Sequence, residues 1–322
     1  MFCIWFLIFS VAIHLVLVSA QILCSDLLAP NKTKYHPVRH CQRSNKTRIA
    51  AKNVENLAKC EQFAEYNQGL AFNYGHGRNP RKKGHSNNWM NLFDTIEKEK
   101  NRTNRWKGVA KELELSNDPY FNCEVFDCPE LGNMLTIIND TRYDYYSIYG
   151  MAPANATCLP TIGLFLFYYD VRMNYTQAAI TCENHHGNLA NVMSLERTNY
   201  LSSLVAEHAS ETNKNSFQLS SSKELHNNIP IHHAFVGLRE VKQTGKFFDS
   251  NGVPIHCHLF RAWEPSFPFE SKTLGCVGIT DNRSWKLFDC RKRMPFICEL
   301  NPTRPRKSRK FNQRCSLKRP NN

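Results

Sequence analysis

The chain has no Gly-x-Ser-x-Gly elbow, no glycine-rich phosphate loop and no carboxylate pair set beside a nucleophile. The familiar hydrolytic and phosphoryl-transfer chemistries therefore have no anchor in it, and an enzyme is not expected. No self-similarity at a period of roughly 20–50 residues is visible, which excludes a solenoid. No apolar run reaches the roughly 20 residues of a membrane span. The nearest approach, residues 2–18, lacks the flanking lysine or arginine that would hold an anchor in place. After Leu300 acidic residues are missing, while Arg304, Arg306, Lys307, Arg309, Lys310, Arg314, Lys318 and Arg319 remain. Like-charge repulsion with little apolar content predicts a disordered basic tail over residues 301–322.

What is present begins with that apolar run, closed by Val18-Ser19-Ala20. It reads as a signal peptide over residues 1–20, with a mature start near Gln21. A type II signal anchor is the rival, and the shortness of the run favours secretion. Cleavage removes Cys3 and leaves twelve of the thirteen cysteines, an even number suited to an oxidising compartment. Glycosylation sequons begin at Asn31, Asn45, Asn101, Asn139, Asn155, Asn174 and Asn282, and each needs a surface asparagine to be used. The formal net charge of +13 would suit nucleic acid, but a secreted chain meets little of it. The tail instead suits acidic glycans, anionic matrix or a membrane surface, or is a solvated tail with no dedicated partner; Cys315 within it adds tethering or intermolecular pairing.

Residues 21–150 read as a cysteine-rich module and residues 151–157, with Pro153, as a linker. Val54, Leu57, Ala58, Glu61 and Phe63 recur at helical spacing, predicting a helix over 54–63 that turns Cys60 inward. A strand is expected over 70–74. Residues 75–88 follow as an exposed loop, whose Arg81-Lys82-Lys83 is either a processing site or simply solvated. The cysteine-bearing helix, Leu70-Ala71-Phe72-Asn73-Tyr74 and Asn122-Cys123-Glu124-Val125-Phe126-Asp127-Cys128 resemble parts of apple or PAN modules, without the full cysteine set and interrupted by the charged helical stretch 89–115. The resemblance implies a small helix-on-sheet unit for protein or carbohydrate contacts. Cys123-x4-Cys128 as half of a zinc site lacks a second ligand pair.

In residues 158–300 the pattern predicts a strand over 164–169 and a helix over 175–182 capped by Thr176. A break at 187–190 precedes a second helix from Ser194 with Leu201, Leu204 and Val205 as its apolar stripe. Short strands follow at 235–238, 246–249, 276–279, 285–290 and 295–299. In this order the segment resembles the C-type lectin-like family. Ala178 and Cys182 match its Ala-x3-Cys helix, with Tyr175 where tryptophan is usual, and Gly187-Asn188-Leu189-Ala190 matches its Gly-x-Leu step. Phe235-Val236-Gly237-Leu238 matches the core strand; Cys276, Trp285, Cys290 and Pro295-Phe296-Ile297-Cys298-Glu299 match the ending. The fold class expected is α+β: a C-type lectin-like fold of two helices, short antiparallel sheets and a long loop, preceded by a small disulfide-rich α+β module. The resemblance implies bridges Cys182–Cys298 and Cys276–Cys290. Cys158 finds no partner where a long-form domain would supply one, and Cys257 is one candidate.

The same resemblance implies where a calcium-held sugar would sit. Calcium takes six to eight oxygens at about 2.3–2.6 Å. Glu264-Pro265-Ser266 stands in the loop motif, and Lys286 and Leu287 fall on the asparagine and aspartate of the strand motif. An ammonium and an isobutyl group there argue against calcium, so neither a metal nor another cofactor is expected. Asp289 lies two residues further on, and Glu264-Pro265 could also be a plain loop turn with a cis peptide. His185-His186, His232-His233 and His256-Cys257-His258 are surface histidines or, less readily, zinc ligands. The long loop, residues 252–273, carries the ligand-binding candidates Trp263, Glu264, Ser266, Phe267 and Phe269. Phe260 and Trp263 are as well suited to packing the loop as to binding, whereas Phe267 and Phe269 are expected outside. The expected role is non-catalytic recognition or adhesion, with an extracellular protein, glycan or matrix partner and no calcium, the cuticular matrix included. The alternative is a calcium-dependent lectin of immune recognition; a hydrolase on the N-terminal module lacks a nucleophile. The nearest resemblance is to secreted invertebrate C-type lectin-like proteins with an added cysteine-rich module.

Overall fold

The computed structural model describes residues 24–28, 34–75, 121–218, 231–241, 244–269, 271 and 273–302. The expected signal peptide, the Arg81-Lys82-Lys83 loop, the helical stretch 89–115, Asn31, Asn101, Cys315 and all but the first two residues of the basic tail lie outside them. Among the described residues no helix is long and apolar enough to cross a membrane.

Two compact units emerge, and they do not follow one cut at 151–157. The described residues of one are 37–75, 121–127 and 136–146; those of the other are 24–28, 34–36, 128–135, 147–218, 231–241, 244–269, 271 and 273–302. The first is a five-stranded sheet in the order β1-β7-β4-β5-β3, where β1 is His36–Arg39, β3 Ala50–Lys52, β4 Ala71–Gly75, β5 Cys123–Phe126 and β7 Tyr143–Ser147. A separate ribbon pairs β2 (Gln42–Ser44) with β6 (Ile137–Asn139). Helix α1, Leu57–Tyr66, starts three residues later than the apolar spacing suggests because Asn56 takes the cap, its side chain accepting the Lys59 N–H. Cys60 is fully buried, as expected, and is bonded to Cys123 of β5, fastening helix to sheet. Beneath it Asn73 and Glu124 are buried polar groups with partners. Asn73 donates to Glu124 and to the Ser44 carbonyl, both at 2.9 Å, and Arg48 donates to Glu124 at 2.9 Å. Cys41 is disulfide-bonded as well.

The second unit has the expected C-type lectin-like order of elements. Its sheet runs β14-β13-β11-β15-β9-β8, with β10 on β15 and β12 on β11. Here β8 is Thr157–Leu159, β9 Gly163–Met173, β10 Gly187–Leu189, β11 His233–Glu240, β12 Phe247–Asp249, β13 Leu274–Thr280, β14 Trp285–Asp289 and β15 Met294–Leu300. Helix α2 is Tyr175–Asn184 and α3 is Leu195–Gln218. Thr176 does not cap α2. Asn174 does, its side chain accepting the Gln177 N–H at 2.9 Å. Leu201, Leu204 and Val205 of α3 are buried in a core with Phe165, Val236, Trp285 and Ile297. Two glycines are required by close approach: a Cβ at Gly187 would meet the Glu299 carbonyl at 2.3 Å, and one at Gly237 the Leu189 carbonyl at 2.3 Å.

Among the described residues, four disulfides lie in this unit. Cys182–Cys298 joins α2 to β15 and Cys276–Cys290 joins β13 to the end of β14. Cys158 is bonded to Cys128, not to Cys257, and Cys257 is bonded to Cys24 on a helical turn over 24–28. Sequence spacing hid both pairings, since residues 24–28 and 128–135 read as part of the N-terminal module but pack with the lectin-like sheet. Among the sequon asparagines, Asn45, Asn139, Asn155 and Asn282 are exposed and Asn174 is half-buried.

The closed chain lengths rank the two sheet bridges. Cys182–Cys298 spans 116 residues and Cys276–Cys290 only 14, so by loop-closure entropy they stabilise by about 5 and about 3 kcal/mol. Thermal unfolding of Cys→Ala pairs should show the larger drop in Tm for Cys182→Ala/Cys298→Ala. Equal drops would show that chain entropy does not set the order.

Candidate binding site on the long loop

Trp285 opens β14 fully buried, and its indole N–H donates to Thr198 Oγ1 of α3 at 3.2 Å. Its backbone takes hold of the long loop: the Trp285 N–H donates to the Ala262 carbonyl at 2.6 Å and the Glu264 N–H to the Trp285 carbonyl at 2.9 Å. Three rings complete the attachment. Phe260 and Trp263 lie edge-on to Trp285 with centroids 5.6 and 5.5 Å away, and Phe247 lies 5.2 Å from Trp263. Phe260 and Trp263 therefore belong to the packing of the loop, edge-to-face contacts of this kind adding about 0.5–1.5 kcal/mol each beyond area burial.

Strand alternation then decides the rest of β14. With Trp285 inward, Leu287 is inward too, 3% exposed within the core, and Lys286 points out. Outside it meets the loop. Glu264, Pro265, Ser266 and Phe267 form a tight turn, closed by the Phe267 N–H donating to the Glu264 carbonyl at 2.9 Å, with Ser266 at φ +74°. The Lys286 ammonium lies 3.3 Å from Glu264 Oε2 and 5.6 Å from the centre of the Phe267 ring. Glu264 Oε2 is sealed from solvent and makes no hydrogen bond, so the Lys286 charge is its compensation. The pair as a whole is partly exposed, and solvent screening limits its worth to about 0–1 kcal/mol.

Phe267 is half-buried against the core, contrary to its expected exposure, because its ring is wedged between Lys286 and Phe269. Phe269 is 46% exposed, and Pro265 and Ser266 are exposed. Around the Lys286–Glu264 pair the exposed residues are Pro265, Ser266, Pro268 and Phe269, backed by Phe267, and Leu259 is exposed elsewhere on the same loop. The cis peptide of the loop is Phe267–Pro268; Glu264–Pro265 is trans.

Calcium does not fit these residues. Glu264 already faces an ammonium, Leu287 is committed to the core, and Asp289 is held by Arg291, whose Nη2 lies 2.8 Å from Asp289 Oδ2. Too few of the oxygens calcium needs converge. Nor do the histidines form a metal centre. Ligand atoms of Cys24, His256 and Cys257 lie within 4.8 Å of one another, but the two sulfurs are bonded to each other and offer no thiolate. His258 is 3.3 Å from Asp249, His232 pairs with Asp281 at 2.8 Å, and His185 and His186 are exposed. Sequence reading treated Lys286 as a lost ligand and missed that it finds a partner. The signal was available in the two motif positions, which a calcium ion would otherwise bridge.

Residues 171–300 match the family model described as the lectin C-type domain. Rat (Rattus norvegicus) lithostathine is 21% identical over 138 residues, 42% of this chain and 70% of that protein. Among solved structures, human lithostathine is similar at 19% identity over 47% of this chain and 99% of its own, with a TM-score of 0.35. The carbohydrate-recognition domain of the mouse scavenger receptor C-type lectin is similar at 16% identity over 48% of this chain and 99% of its own, also with a TM-score of 0.35. Residues 171–300 are a C-type lectin-like domain.

Leu287→Asp should destabilise the chain by about 3 kcal/mol or more, since it buries a carboxylate in an apolar core. Chemical denaturation checks this, and rescue of the Lys286→Asn/Leu287→Asp variant by added calcium would show that a metal site is still latent. A second outcome concerns acid. His233 stacks on Phe288 at 4.8 Å and its pKa is pushed down to about 4, first by burial and then by Lys292, His232 and Lys286, with Asp281 opposing. In the unfolded chain it titrates near 6.5, so between about 6.5 and 4 the unfolded state binds more protons and stability falls as pH drops. His233→Gln should flatten the Tm profile across that window, and an unchanged slope would remove His233 as its source.

Proposed function

We propose that this chain is a secreted, glycosylated, non-catalytic recognition protein. Its C-type lectin-like domain binds an extracellular protein, glycan or matrix ligand through the long loop without calcium. The observation that carries this reading is the Lys286 ammonium 3.3 Å from the Glu264 carboxylate: the charge that a divalent ion would supply comes from the chain itself. Phe269 is the anchor, an exposed aromatic that stacks on a sugar face or fills a protein pocket, with Ser266 as a hydroxyl partner and Phe267 behind it. Glu264 and Trp263 position this surface. The helix-on-sheet unit, with α1 fastened to β5, supports an apple- or PAN-like accessory role in adhesion. The cleavable leader, the even cysteine count and the sequons support secretion.

Purified full-length protein should bind its strongest partner, found on a glycan array and a panel of extracellular matrix proteins, equally in calcium and in EDTA. Phe269→Ala should weaken that binding at least about tenfold, or 1.4 kcal/mol, with Tm unchanged. Phe260→Ala should instead lower stability, by about 3 kcal/mol. Loss of binding in EDTA would overturn the proposal in favour of a calcium-dependent lectin.

A further inference from the structure

The turn joining β14 to β15 is Arg291-Lys292-Arg293, and all three side chains are exposed. A fourth cation comes from the adjacent strand. Met294 of β15 pairs with Met173 of β9, and Arg293 Nε donates to the Arg172 carbonyl at 3.1 Å, which sets exposed Arg172 beside the turn. Asp289 is already bound by Arg291, and Asp170 lies two residues before Arg172 on β9. Lys292 Nζ lies over the Phe288 ring at 5.3 Å, which holds the ammonium close to the strand.

We infer that this turn is a docking surface for a linear sulfated polysaccharide. Closely set cations held on a strand turn gain most from a ligand whose anionic groups are equally close, because each contact releases condensed counterions. The surface is poorly suited to the other polyanions. Insertion into an anionic bilayer calls for protruding apolar side chains, yet the apolar neighbours Phe288 and Met294 are 8% and 1% exposed. Single-stranded nucleic acid calls for open aromatic platforms, and the Phe288 ring is covered by Lys292 and stacked on His233. The turn leaves β14 after Asp289, about 10 Å along the strand from Lys286 at normal rise, so it lies at the opposite end of the strand from the Lys286–Glu264 contact and does not depend on the ligand proposed there.

The test uses the full chain on immobilised heparin oligosaccharide across a sodium chloride series. The variant Arg172→Gln/Lys292→Gln/Arg293→Gln leaves the Arg291–Asp289 pair intact. It should lower affinity at least tenfold at physiological salt and reduce the slope of log K against log salt by about two. Repeating the substitutions in a chain whose eight tail cations are glutamine should show the same loss, and desulfated heparin should not bind. If the triple variant alters the near-ultraviolet circular dichroism, Lys292→Gln alone reads the same effect, at about threefold. Wild-type affinity in these variants overturns the inference, as does a loss seen only when the tail is altered. Phosphatidylserine vesicles or single-stranded DNA bound with the same sensitivity to the triple variant would also overturn it.

Discussion

The lectin-like unit depends on how Trp285 is held. Its indole N–H is satisfied by Thr198, its backbone takes both neighbours of Trp263 in the long loop, and its ring seats Phe260 and Trp263. A buried indole with an unmet N–H would be unfavourable by roughly 1–3 kcal/mol, so the Thr198 hydroxyl fixes the orientation of the ring as well as its depth. Once that ring faces inward the period-two pleat leaves no choice for its successors. Lys286 must face the loop and Leu287 the core, and the charge chemistry of the site follows from that parity.

The loop is held by contacts made within the chain. Aromatic packing gives it a floor and an ion pair gives it a local neutral charge. The Cys24–Cys257 bridge ties the short 3-10 turn Ile255–Cys257 to the N-terminal residues 24–28. None of these restraints requires a bound ion, and each is a covalent, apolar or charge contact made within the chain. Charge is handled differently at the other end of β14, where Arg172, Lys292 and Arg293 are all exposed and Arg293 donates to the Arg172 carbonyl. One strand thus separates a neutralised aromatic surface from a cationic one.

Much of this was legible in the residues. The apolar spacing of Leu201, Leu204 and Val205 and the ordered Ala178, Cys182, Gly187, Gly237 and Trp285 landmarks led to the right elements. The lack of oxygen donors at Lys286 and Leu287 was readable too, because an ammonium and an isobutyl group cannot coordinate a cation. Other features depended on contacts that spacing does not encode. Asn174 rather than Thr176 caps α2, since both side chains are competent and the backbone path selects one. The cis bond falls at Phe267–Pro268 and not at Glu264–Pro265, two X-Pro steps that look alike in sequence.

By itself the sequence determined the residue types available: which side chains are apolar at period two or at helical spacing, which positions can carry a thiol, and that Lys286 and Leu287 stand where calcium donors would be. The tertiary structure decided the partners. Cys158 with Cys128, Cys257 with Cys24, and Lys286 with Glu264 join residues whose separation along the chain says nothing of their distance in space. The physical reason is that periodicity is a local property of the backbone, whereas a bridge or an ion pair needs two segments brought within a few ångströms. Only packing the long loop and residues 24–28 and 128–135 with one lectin-like sheet does that.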